Sequence, residues 1–271
     1  MPELPEVETV RTVLIPYLVE QKISDTIVNL PKILKNITPQ DFQTKITGQT
    51  ITNFTRRGKF LTLHLQNQDC IVIHFRMTGT LTIENINTPP EKHTHIILNF
   101  TNGKSLRYID SRGFGHWWYF NKNQEDTSGQ LLLGPEPQNV TLKYLQQKFK
   151  NRQCPLKSAL LDQHIIAGIG NIYADEICFR AQILPTKPVA KLSEPELQRL
   201  VAQISTVINE FIQIHRVPFE VFAISKGKSY QKSTNRAVYG RKGLPCQKCG
   251  HPLTGIRIGQ RSSVFCEHCQ K

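Results

Sequence analysis

The chain has 271 residues, 39% hydrophobic and 20% charged, and Lys and Arg outnumber Asp and Glu 34 to 21 for a formal charge of +13. That length and balance support two or three domains with a real core and exclude a disordered chain. No stretch reaches the 18 or more apolar residues of a membrane span, and the start Met1-Pro2-Glu3-Leu4-Pro5-Glu6 is acidic where a secretory or mitochondrial leader is basic, so the expected compartment is the cytoplasm.

Val7, Val10, Val13, Leu14, Tyr17 and Leu18 recur at helical spacing after Pro5, which predicts an amphipathic helix over residues 6 to 20. From about 22 to 120 the pattern alternates, as in Lys59-Phe-Leu-Thr-Leu-His-Leu, Cys70-Ile-Val-Ile-His-Phe and His95-Ile-Ile-Leu-Asn-Phe, with Gly58, Gly79, Gly103 and Pro89-Pro90 between runs. Short punctuated strands of this kind predict a β-sandwich. The turn-rich Leu133-Gly134-Pro135-Glu136-Pro137 marks a boundary, and helical periods return at about 141 to 150, 156 to 166, 172 to 182 and 193 to 215. Between the second and third of these, Ala167-Gly168-Ile169-Gly170-Asn171 reads as a double turn exposing N–H groups at a helix start.

Ten basic residues and one acid, Glu267, lie between Lys226 and Lys271, a segment that also contains Cys246, Cys249, Cys266 and Cys269 as Cys-x2-Cys-x16-Cys-x2-Cys. In a reducing compartment this spacing predicts one structural zinc ion with four thiolate ligands, and the charge predicts a nucleic-acid backbone as partner. Cys70, Cys154 and Cys178 stand alone in apolar surroundings and read as buried thiols; His251 and His268 read as bystanders.

Removal of Met1 leaves Pro2 with a secondary α-amine. Such a group titrates near 8, so about 10 to 20% is unprotonated at pH 7, and its attack on a sugar carbon gives an iminium ion able to drain electrons in a β-elimination. Glu3 beside it, and Glu6 at i+3, supply a general acid and a charge partner, although acids in a first helical turn also complement the dipole.

Met1-Pro2-Glu3-Leu4-Pro5-Glu6-Val7-Glu8-Thr9-Val10 resembles the start of bacterial formamidopyrimidine-DNA glycosylases. Further matches follow along the whole chain: Arg56-Arg57-Gly58-Lys59-Phe60, His74-Phe75-Arg76-Met77-Thr78-Gly79, Lys92-His93-Thr94-His95, Asp110-Ser111-Arg112-Gly113-Phe114-Gly115, Gly168-Ile169-Gly170-Asn171 through Glu176, Val238-Tyr239-Gly240-Arg241 and the cysteine knuckles. The resemblance implies an α+β multidomain chain: an N-terminal helix and two-layered β-sandwich (1–132), a helix-two-turns-helix domain (133–225), and a C-terminal loop with a β-hairpin zinc finger (226–271). It implies a bifunctional enzyme of base-excision repair, a monomer acting on damaged double-stranded DNA in the bacterial cytoplasm and at the nucleoid. By the same likeness Pro2 attacks C1′, Glu3 moves protons, Lys59 assists elimination, and Arg261 holds phosphate in the second elimination. Met77, Arg112 and Phe114 match residues that fill the gap left by a flipped nucleotide, and His93, Arg152, Lys157 and Asn171 match backbone contacts.

Two positions depart from the pattern. Where relatives that prefer 8-oxoguanine carry Gly-Gly-Ser/Thr-Ser/Thr, this chain has His215-Arg216-Val217-Pro218-Phe219-Glu220-Val221-Phe222, which changes the loop that closes over the base. Gly113 stands where a basic residue commonly follows the wedge arginine. Two other readings share the motifs: a relative with altered range, acting on oxidised pyrimidines or abasic sites only, and a non-catalytic zinc-dependent DNA-binding protein, against which the intact Pro2 and Glu3 argue.

Overall fold

Pro5 needs no N–H partner in a first helical turn, and Glu3 caps that turn, so the first helix begins at once. In the computed structural model, which describes residues 2–228 and 235–271, α1 spans Leu4–Leu18 and buries Leu4, Val7, Val10, Leu14 and Leu18, one face at i, i+3 and i+4 spacing. Met1 and Lys232 lie outside the described residues. After β1 (Ile23–Val28), the short helix α2 (Pro39–Ile46) starts at Thr38, whose hydroxyl accepts from the Asp41 N–H, and turns Phe42 and Ile46 inward.

Six more strands follow: β2 (Ile51–Arg57), β3 (Phe60–Leu65), β4 (Cys70–His74), β5 (Thr80–Asn85), β6 (Thr94–Phe100) and β7 (Lys104–Ile109), and then β8 (His116–Phe120). They form two four-stranded antiparallel sheets, in the orders β1-β6-β7-β5 and β2-β3-β4-β8. Leu61, Leu63, Ile71 and Ile73 of one sheet share a core with Leu81, Ile96, Leu98 and Leu106 of the other and with the buried face of α1. The two-layered sandwich expected from the alternating runs is therefore present.

The second part of the chain holds α3 (Leu142–Phe149), α4 (Leu156–Leu161), α5 (Asn171–Ala181) and α6 (Glu194–His215), followed by α7 (Phe219–Ile224) and a hairpin of β9 (Thr254–Ile258) and β10 (Arg261–Phe265). Phe179 of α5 joins Val238, Leu253 and Val264 in the small core beneath the hairpin. No helix among the described residues is long and apolar enough to cross a membrane.

The compact units cut the chain differently from the segments 1–132, 133–225 and 226–271. Residues 215–228 group with the sandwich, and 235–271 group with the helices. The reason is apolar: Phe222 is 0% exposed within the sandwich core, Val217 and Phe219 pack against it, and the Phe219 ring stacks on Tyr17 of α1 at 4.0 Å. Phe222→Ala is accordingly expected to cost about 3–5 kcal/mol of stability, read as a lower urea midpoint; a loss below about 1 kcal/mol would show that α7 is not part of that core.

Candidate functional site

Pro2 and Glu3 sit buried at the head of α1. The Glu3 backbone N–H donates to Glu6 Oε2 at 2.8 Å, the returning half of a capping box, so the Glu6 carboxylate fixes the first turn. Its other oxygen, Oε1, lies 3.6 Å from Nδ1 of His215, and both side chains are 2% exposed. Glu8, two residues on, accepts from Arg56 Nε at 2.7 Å, and Arg56 Nη1 donates to the Gly58 carbonyl at 3.1 Å. This ties α1 to the β2–β3 turn that carries Lys59. Burial opposes the charge on Glu8, but the guanidinium groups of Arg11 and Arg56 outweigh it and hold the carboxyl below its usual range.

Met77, Arg112 and Phe114 project from two neighbouring loops. Met77 is 37% and Phe114 48% exposed, which is unusual for large apolar side chains, and the Arg112 guanidinium lies 4.7 Å over the Phe114 ring. Asp110 organises both loops. Its carboxylate accepts from the Thr78 hydroxyl, from the N–H groups of Arg112 (3.2 Å) and Gly115 (2.8 Å), and from the Tyr108 hydroxyl (3.2 Å). Burial alone would raise its pKa, yet the hydroxyl of Thr78 and the N–H groups of Gly115 and Arg112 prevail and keep it below the ordinary value. The sequence reading assigned Asp110 no part, although Asp two residues before the loop's Arg is the pattern of an Asx turn.

His74 braces the same region: its Nδ1 accepts from the Arg76 N–H at 3.1 Å. Burial, with Arg76 and Lys59 nearby, depresses His74 to about 3, and burial with Arg76 and Lys35 depresses His116 to about 4. Both imidazoles are neutral at physiological pH, and the positive charge here belongs to Arg and Lys. Gly113 has φ +61, and a Cβ there would stand 3.0 Å from Leu30 Cδ2 and 3.6 Å from Lys32 Nζ. The ammonium of Lys32 therefore lies beside Gly113. His93 is exposed at φ +68, and its carbonyl accepts from the Asp110 N–H at 3.0 Å.

In the second unit, Gln163 wraps the double turn: Oε1 accepts from the Gly168 N–H at 3.0 Å and Nε2 donates to the Ile169 carbonyl at 2.7 Å. Arg152 is half exposed, 3.5 Å from Asp162. Asn171 Nδ2 lies 3.4 Å from Ser262 Oγ, next to the exposed Arg261 at the start of β10. Lys157 differs from its expected place on the surface. It is 0% exposed, and its ammonium pairs with Asp175 at 2.7 Å and donates to the Ser262 carbonyl at 2.5 Å, so it reaches no external phosphate directly. Glu176, also overlooked in the sequence, accepts from the N–H groups of Ala237, Val238 and Tyr239 at 2.9, 3.0 and 2.9 Å.

The sulfurs of Cys246, Cys249, Cys266 and Cys269 all lie within 4.8 Å of one another, with Cys246–Cys269 at 3.9 Å and Cys249–Cys266 at 3.5 Å. A tetrahedron of Zn–S bonds about 2.3 Å long has edges of about 3.8 Å, so the four thiols fit one zinc ion. The Lys248 N–H directed at Cys246 Sγ (3.4 Å) supplies the outer support usual in such knuckles. Four thiolates leave no open position, and the ion is structural. Cys178 is buried and Cys70 and Cys154 are partly so.

Residues 1–117 match the family model of the formamidopyrimidine-DNA glycosylase N-terminal domain, residues 133–222 that of the formamidopyrimidine-DNA glycosylase H2TH domain, and residues 243–271 that of a zinc finger found in FPG and IleRS. A formamidopyrimidine-DNA glycosylase of Moorella thermoacetica is 40% identical over 260 residues, 95% of each chain. Among solved structures, the complex between the Lactococcus lactis Fpg and an abasic site containing DNA matches with a TM-score of 0.90 at 30% identity over 99% of both chains. The complex of the wild-type Lactococcus lactis protein with a N7-benzyl-Fapy-dG containing DNA matches with the same TM-score and identity over 100% of both.

Two measurements check the geometry. Elemental analysis is expected to return about one zinc per chain, and Cys246→Ala to release it and lower the melting temperature; a metal-free protein of unchanged stability would contradict the finger. Asp110→Asn is expected to be less stable than the parent at pH 7. Because the folded-state pKa is depressed, that gap is full above the unfolded value near 3.9 and closes as pH falls through the folded one. A gap that stays constant down to pH 2 would mean that the ionised carboxylate is not what holds the loops.

Proposed function

The chain belongs to the formamidopyrimidine-DNA glycosylase family, and on that premise we propose that it is a base-excision repair enzyme, a DNA glycosylase for oxidised purines, formamidopyrimidines first and 8-oxoguanine second, that also nicks the strand as an abasic-site lyase. The observation that carries this is the Pro2-Glu3 pair at the capped head of α1, in a chain that matches the family from end to end. The substrate is damaged double-stranded DNA, bound by one copy of the chain, in the bacterial cytoplasm where the nucleoid lies.

The roles follow from the chemistry of each group. With Met1 removed, the Pro2 nitrogen attacks C1′ of the damaged nucleotide, the C1′–N bond breaks, and the base departs with a proton supplied through Glu3. The attacking nitrogen sheds its proton, the C1′–O4′ bond opens as O4′ takes one up, and the iminium so formed makes the C2′ proton acidic; its loss expels the 3′ phosphate. The conjugated product loses a C4′ proton and expels the 5′ phosphate, and water then releases Pro2. Lys59 assists these eliminations, and Arg261 holds the phosphate in the second. An iminium needs an unprotonated amine, and an α-amine near 8 meets that need better than a lysine near 10.4.

A nucleotide must leave the stack to be reached, and Met77 and Phe114 fill the gap while Arg112 bonds the orphaned base. His93, Arg152 and Asn171 contact the backbone; Lys157 acts from within the fold. The zinc ion, held by the four cysteines, cross-links the hairpin that carries Arg261. The segments 1–132, 133–225 and 226–271 are the corresponding functional modules.

One observation favours a second reading of the lesion range. Where relatives carry a glycine-rich stretch, this chain has buried His215 against Glu6 and then helix α7, so the pocket over the base differs. Borohydride trapping on duplexes with abasic, 8-oxoguanine, formamidopyrimidine or oxidised-pyrimidine sites tests both. Covalent trapping is expected, and lost in Pro2→Gly with an acetylated terminus; tight binding without trapping on any duplex would sink the catalytic reading, and trapping confined to pyrimidine lesions would move the substrate class.

A further inference from the structure

Arg261 opens β10 beyond the two-residue turn Gly259-Gln260, with Gly259 at φ +57. The guanidinium is long and exposed, so its position depends on how firmly the backbone behind it is held. The next three residues are each gripped by polar side chains of α4 and α5. The Ser262 carbonyl accepts from Lys157 Nζ at 2.5 Å, and Asn171 Nδ2 lies 3.4 Å from Ser262 Oγ. Ser263 Oγ donates to Asp175 Oδ1 at 2.8 Å, and the Val264 N–H donates to Asp175 Oδ2 at 3.0 Å. Asp175 and Lys157 pair at 2.7 Å and are 1% and 0% exposed.

Pairing with β9 fixes the hairpin's own ladder but not its register over α5. That register is set by Asp175, which touches two successive residues of β10 and neutralises the lysine touching a third. Hydrogen bonds made inside the fold, away from water, are directional and stiff. We propose that Asp175, with Lys157, is a positioning residue for Arg261: it pins β10 to α5 so that the guanidinium stands at the phosphate leaving in the second elimination. The inference rests on the reading of Arg261 given above. Neither Asp175 nor Lys157 touches DNA in this scheme, and the first elimination does not depend on them.

The test separates the two elimination products. A 5′-labelled abasic-site duplex is cut by the full-length zinc-loaded protein, and the 3′-phosphate product is measured against the 3′ unsaturated aldehyde. Since displacement of about 1 Å can cost about 10²-fold in a step, Asp175→Asn is expected to lower that ratio by about tenfold and Ser263→Ala by about threefold, with borohydride trapping unchanged within about twofold. Zinc content is measured alongside, and Ser263→Ala carries the test if Asp175→Asn sheds the metal. The inference is overturned if Arg261→Ala lowers the ratio while Asp175→Asn and Ser263→Ala leave it alone, or if trapping and both eliminations fall together. An unchanged ratio in Arg261→Ala itself removes the underlying role of Arg261, a separate result recognisable from that variant alone.

Discussion

A backbone N–H buried away from water has to meet an acceptor, and in this protein side-chain carboxylates meet it at one functional segment after another. Glu6 receives the N–H of Glu3, Asp110 those of Arg112 and Gly115, Glu176 those of residues 237 to 239, and Asp175 that of Val264. An unsatisfied buried donor costs about 1–3 kcal/mol, so each carboxylate leaves its loop only one good arrangement. The groups that meet solvent, Met77, Arg112, Phe114 and Arg261, sit on loops or hairpins fixed in this way. The acids that matter most to placement are thus hidden, in a chain whose surface charge is strongly positive.

Much of this was legible in the sequence. The strands β3, β4 and β6 appear within a residue or two of the ends of the runs named for them. The helices α1, α3, α5 and α6 follow their apolar periods equally closely. The strands β1 and β2 gave no signal because their burial runs B-e-e-B, a bulged edge rather than a two-residue period, and the pairing shifts register between Ile23 and Asp25 and between Ile51 and Asn53. β8, His-Trp-Trp-Tyr-Phe, is apolar at nearly every position and has no period to detect. The cysteine spacing located the metal cluster outright, since four thiols with two short loops have few other uses.

Burial of charged side chains is what the sequence could not convey. Lys157 reads as a surface cation until its partner is known, and that partner is Asp175, eighteen residues along on another helix. Glu176 hides for a related reason, because its donors are backbone N–H groups that carry no side-chain signature. The segment 215–222 was visible as chemistry but not as geometry: His215 lies buried beside Glu6, and Pro218 starts helix α7.

The Lys157–Asp175 pair has a consequence for descent. Either charge alone, left inside the protein, costs about 3–5 kcal/mol, a large part of the stability of an ordinary domain. Lineages cannot readily pass through the single substitution, so the two positions are inherited as a unit, held together or exchanged together for an uncharged pair. Residues 157 and 175 should vary in step across relatives even though neither faces the substrate, and a survey of such coupled positions would find the fold's internal braces as readily as its reactive groups.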